Sequence, residues 1–127
     1  MSIEYRLVSL LPTCVGNERI RIAGDGRVSY SRNTVECDEG TTWSAAWRDV
    51  GWLDDAALLR LHEQITGSGL LELPPESIGH SAQGGRREEI DLTIHERKYR
   101  FVVQNVDAPP FRTVVKLLWA VIFEFER

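Results

Sequence analysis

Two hydrophobic spacings divide this chain. Ile3, Tyr5 and Leu7 alternate with Glu4 and Arg6 over residues 3–10, which is the period of a half-buried strand. Arg19-Ile20-Arg21-Ile22 resumes the alternation, and Val28 and Tyr30 continue it beyond Gly24-Asp25-Gly26. Two alternating runs about a Gly-rich bend predict a hairpin. Gly24 and Gly26 supply positive φ cheaply, and Asp25 can bond its own backbone. The bend lacks the spaced oxygens and closing Glu of a calcium loop, and a strand follows it where a phosphate cradle needs a helix. A second hairpin is predicted from Ile90, Leu92 and Ile94, the turn 95–98, and Tyr99, Phe101 and Val103.

The other spacing is helical. Asp54 is a natural N-cap, Leu53 and Leu58 have staple spacing, Leu58, Leu61, His62 and Ile65 form a stripe, and Gly67 and Gly69 end it. After residues 107–110, DAPP, a last helix carries Phe111, Val114, Val115, Leu118, Val121, Ile122 and Phe125 on one face. The order strand, hairpin, helix, hairpin, helix predicts a single α+β domain over 1–127. Its expected architecture is an antiparallel sheet of four to five strands with two main helices on one face. Residues 33–53 carry Trp43, Trp47 and Trp52; the spacing of the first two fits a helix face and a twisted strand equally.

Charge adds a constraint. The net charge is −4, and residues 36–76 hold nine carboxylates against Arg48 and Arg60. An acidic middle argues against a nucleic-acid partner, which a basic face would serve. No run has the length of a membrane span, so no membrane partner is expected. The N-terminus lacks the pattern of a secretory signal. A cytoplasmic location follows as the expectation, or an extracytoplasmic one if a signal has been removed. The sequence leaves open whether Cys14 and Cys37 pair.

Candidate chemistry is sparse. Cys14, Cys37, His62, His80 and His95 lack the short spacings of metal ligands, so no metal is expected. Ser77 or Ser81 with His80 and Asp91 would compose a catalytic trio only without a nucleophile elbow, so neither catalytic residues nor a cofactor are expected. Glu88 and Glu89 follow Arg86 and Arg87; on a strand the two carboxylates point to opposite faces, and the charges read as those of an edge strand. Trp119 and Phe123 stand four apart and off the stripe of the last helix, one aromatic patch bordered by Arg112 and Lys116. The patch awaits a cover, either residues 33–53 or a partner.

The first third, PTCVGNERIRIAGDGRVSYSRNTVECDEG, is similar to a group of uncharacterised bacterial domains with a Cys-Gly turn and an Asp-Gly hairpin. The second half, from LLRLHEQITGSGLLELPP through IDLTIHERKYRFVVQN to the final helix, resembles emfourin-type inhibitors of bacterial thermolysin-like metalloproteases. The Gly-Gly opening strand of emfourins is absent, and no inhibitory residue carries over by position. That resemblance implies a proteinaceous inhibitor presenting the loop 76–87, ESIGHSAQGGRR. The residues themselves imply a non-enzymatic binding or interaction domain of unidentified ligand, its partner another protein such as a second copy in a homodimer; a protease partner is what the resemblance implies. Trp119, Phe123, His80, Arg86 and Arg87 are the candidate partner-binding residues.

Overall fold

A computed structural model describes residues 1–11, 13–79 and 85–126. The sheet has seven strands: β1 (Ser2–Ser9), β2 (Glu18–Ile22), β3 (Arg27–Arg32), β4 (Arg48–Trp52), β5 (Glu76–Ile78), β6 (Arg86–Ile94) and β7 (Arg97–Gln104). Their spatial order is β4-β3-β2-β1-β6-β7-β5. Helices α1 (Asp55–Thr66) and α2 (Pro109–Phe125), with a 3-10 turn at Leu70–Glu72 between them, pack on one face. Among the described residues no helix is long and apolar enough to cross a membrane.

The mixed fold is as expected, but the expected four to five strands are seven and not all antiparallel. β4 arises in the stretch whose spacing was ambiguous. β5 arises inside the expected loop 76–87 and pairs with β7 in parallel, Glu76 opposite Val102. Both are too short to show an alternation, so they interrupt the expected order of elements. β6 is also no edge strand, because β1 and β7 flank it.

Register explains why the core is where it is. Tyr99, Leu92, Ile3, Ile22 and Val28 form one cross-strand row, and Phe101, Ile90, Tyr5, Ile20 and Tyr30 form the next. Side chains in such rows touch directly. The α2 stripe closes over them: Phe111, Val114, Val115, Leu118 and Ile122 are buried, as are Leu61 and Ile65 of α1. The third row, Val103, Glu88, Leu7, Glu18 and Arg32, turns polar. Here Tyr5 donates its hydroxyl to Glu88 at 2.7 Å, and Arg112 of α2 reaches the same carboxylate. Burial, and then the negative Glu88, push the Tyr5 hydroxyl far above its ordinary pKa.

The opposite face carries a salt lattice. Arg6 donates to Glu4, Glu89 and Asp91, while Arg87 and Arg100 also donate to Glu89. Burial alone would raise the Glu89 pKa, but hydrogen bonds from Arg6 and Arg87 outweigh it and the net shift is downward.

The turns obey local chemistry. At the β2–β3 bend Asp25 accepts from the Arg27 amide, and only Gly26, not Gly24, takes a positive φ, 95°. A Cβ on Gly26 would lie 2.3 Å from the Leu53 carbonyl oxygen. The β6–β7 bend needs the same backbone hand without glycine, so His95 and Glu96 adopt φ of 49° and 67°. α1 begins as expected, with Asp54 accepting from the Ala57 amide at 2.8 Å. α2 begins on Pro109 and Pro110, where a missing amide costs nothing.

Leu118→Ala should lower unfolding stability by about 2–5 kcal/mol in a chemical denaturation, since the side chain is fully buried. Glu89 should mark the acid limb. A depressed carboxyl pKa contributes stability that is present above the ordinary carboxylate range and lost as pH falls through the depressed value. Glu89→Gln should therefore be less stable at neutral pH and lose less on acidification, read as a flatter stability-versus-pH curve below about pH 4.

Candidate functional site

Two surfaces concentrate aromatic side chains, one on each side of the sheet. The first lies where the polar third row runs out from under α2. Its floor is Glu18 on β2 with Tyr30 and Arg32 on β3, its wall is Lys116, Trp119 and Phe123 on α2, and Glu126 closes one end. The groove has a volume of about 670 Å³, within the range of ligand clefts. Trp119 meets Tyr30 edge-on at 5.7 Å and stacks on Phe123 at 5.7 Å. Phe123 is 61% exposed. Tyr30 lies 3.3 Å from the Glu18 carboxylate, and burial pushes the Glu18 pKa up against the pull of Arg32.

Trp119 and Phe123 stand together as their spacing predicts, whereas no spacing in the sequence marks the floor. Tyr30 looked like one more core strand residue, and Glu18 fell before the alternation began. Arg112, expected at the rim, turns inward to Glu88 instead. Residues 33–53 do not cover the patch with their tryptophans, which lie on the other face of the sheet; only Arg48 arrives, over the Tyr30 ring and paired with Glu126.

The remaining candidates are scattered. Arg86 faces the groove side, close enough to Glu18 to lower its pKa. Arg87, one residue on, belongs to the salt lattice of the opposite face. His80 and Ser81 lie outside the described residues, as do 82–84 of the expected loop 76–87; of the expected trio, Ser77 lies on β5 and Asp91 is paired with Arg6 and Arg100 in the salt lattice. His62 and His95 approach each other, with ring centroids 6.2 Å apart.

The second surface is the opposite sheet face under residues 33–47. Cys14 and Cys37 form a disulfide, their Cα atoms 6.0 Å apart, which also removes both thiols from metal binding. Asn33, 1% exposed, uses both ends of its amide: Nδ2 donates to the Cys14 and Thr42 carbonyls, and Oδ1 accepts from the Ser44 and Ala45 amides. Asn17 adds a bond to the Thr42 carbonyl. So anchored, the segment needs neither the helix nor the strand that its spacing offered around WSAAW. It lays Trp43 and Trp47 about the Arg19 guanidinium at 4.6 and 4.3 Å, and Trp47 also stacks on Arg21 at 4.3 Å. Such contacts are each worth about 0.5–2 kcal/mol.

No family model matches the chain, and no curated protein matches it either.

Reduction by a dithiol should loosen this second surface selectively. The crosslink spans 23 residues in sequence, so its loss should lower stability by about 3–4 kcal/mol on the chain-entropy estimate. Tryptophan emission should shift to the red as Trp43 and Trp47 leave their arginines, with the β-sheet circular dichroism retained. A reduced protein with unchanged emission and melting temperature would show that the asparagine anchors suffice.

Proposed function

We propose that the chain is a non-enzymatic interaction domain that docks a protein through the exposed face of α2 beside the aromatic groove, and that its first partner is a second copy of itself. The observation that carries this reading is a seam along α2. Thr113, Lys116, Ala120, Phe123 and Glu124 all face solvent at helical spacing, with Phe123 the most apolar and 61% exposed. Contiguous exposed apolar surface marks interaction sites, and Phe123 continues the aromatic row of Tyr30 and Trp119. The seam is also self-complementary. An antiparallel mate centred on the small Ala120 brings Lys116 opposite the partner's Glu124, and the two-fold axis repeats the pair.

The reading is non-enzymatic because the half-buried carboxylates are each engaged, Glu18 on the groove floor by the Tyr30 hydroxyl at 3.3 Å. Glu88 is held by Tyr5 and Arg112, and Glu89 by three arginines. The disulfide supports work in an oxidising compartment in place of the cytoplasm that the N-terminus suggested. Inhibition of a metalloprotease has no observation of its own among the described residues.

Light scattering after gel filtration tests the reading. The wild-type chain should dimerise, and Trp119→Ala with Phe123→Ala should be monomeric yet folded. Lys116→Glu should weaken the dimer, and adding Glu124→Lys to it should restore the dimer by exchanging the charges. A wild-type monomer at millimolar concentration would sink the self-docking.

A further inference from the structure

The polar face of the sheet has a charge ledger that does not close. On β1, β6 and β7, three arginines (Arg6, Arg87 and Arg100) are matched by Glu4, Glu89 and Asp91. On β3 and β4, Arg27 approaches Asp49. Between these two balanced regions lies β2, whose Arg19 and Arg21 have no carboxylate within ion-pair distance among the described residues. Arg6 is the cross-strand neighbour of Arg19 in the register, a like charge. Glu4 is the cross-strand neighbour of Arg21, but its carboxylate is turned to Arg6.

The two guanidiniums are nevertheless held in place. Both stack on the Trp47 ring at 4.3 Å, so their central carbons lie within twice that distance of each other. Stacking occupies the planes of the forks and leaves their edges, where the N–H donors are, to point sideways. Those donors are largely unspent. Arg19 gives one hydrogen bond, to the Ala45 carbonyl at 3.2 Å, and its buried Nε has no acceptor. Burial first, and then the neighbouring Arg21 and Arg6, lower the Arg19 pKa against the pull of Glu4. The pair is therefore a double cation without an ion-pair partner, laid against indoles.

We propose that Arg19 and Arg21 are the seat of a phosphate-class oxyanion, lying against the edge of Trp47 and taking hydrogen bonds from both forks. A tetrahedral anion has oxygens to offer on two sides at once, and arginine forks match it bidentately. A single small carboxylate would satisfy one fork and leave the other cation uncompensated. Ser29 and Ser31, opposite Arg21 and Arg19 in the register, are already turned to Asp49 and Ala45, so the site depends on the arginines. It is separate from the α2 seam, which lies on the other side of the sheet.

Isothermal titration at constant ionic strength, with inorganic phosphate in one arm and glycerol phosphate in the other, tests the assignment. Tryptophan emission is the second readout. The expected result is saturable one-site binding with a change in emission, weakened at least about tenfold in Arg21→Gln. Arg21→Lys, which keeps the charge but not the fork, should stay folded and bind more weakly than the wild type, and Lys98→Gln on the same face should bind normally. Tighter binding of the monoester identifies a phosphoryl group carried on a larger molecule as the ligand; equal binding identifies the free ion. Absence of saturable binding in both arms, or full affinity in a folded Arg21→Gln or Arg21→Lys protein, overturns the proposal.

Discussion

Everything in this fold depends on β1 pairing with both of its neighbours. The two hairpins, β2–β3 and β6–β7, are separated by residues 33–85, and a lone hairpin is marginal in water. β1 joins them, with Ile3 beside Ile22 on one side and Leu92 on the other. Only then do the apolar side chains of separate hairpins become continuous rows, and only those rows are wide enough to bury the α2 stripe. The pairing of β1 with β2 is local, but its pairing with β6 closes a long loop before any burial offsets its entropy.

The polar groups follow from the same pairing. A β-strand sends alternate residues to opposite faces. The β1 register that aligns Ile3 and Tyr5 with the core therefore also aligns Glu4 and Arg6 with Glu89 and Asp91. The salt lattice is the reverse side of the core. Arg19 and Arg21 reach that reverse side for the same reason, as the out-facing partners of Ile20 and Ile22, and the tryptophans of 33–47 meet them there.

Elements with a strong local period were legible in the sequence: both hairpins, both helices, the Asp54 cap, and the α2 stripe with Trp119 and Phe123 standing off it. What escaped was set by distance. β4 and β5 are strands because a neighbour offers hydrogen bonds, and three to five residues carry too little pattern to announce it. The Trp43 and Trp47 spacing was ambiguous because their position is decided elsewhere, by the Asn33 amide and the Cys14–Cys37 link. The groove was half legible. Its helical wall shows as an off-stripe aromatic pair, whereas its floor, Tyr30 and Glu18, reads as ordinary strand until α2 fails to cover it. Glu88 and Glu89 point to opposite faces as their spacing predicts, but their strand is central, so Glu88 is a half-buried and Glu89 a buried ion-pair member rather than edge charges.

The two short outer strands have a further consequence. β5 has three residues, preceded by Pro74 and Pro75, and β4 has five, with a register irregularity in its pairing to β3. Such borders offer few free backbone amides and carbonyls in a line, and so resist lateral growth of the sheet into fibrils. They equally deny a partner the option of adding a strand of its own. What the two borders present to their surroundings is therefore mostly side chain.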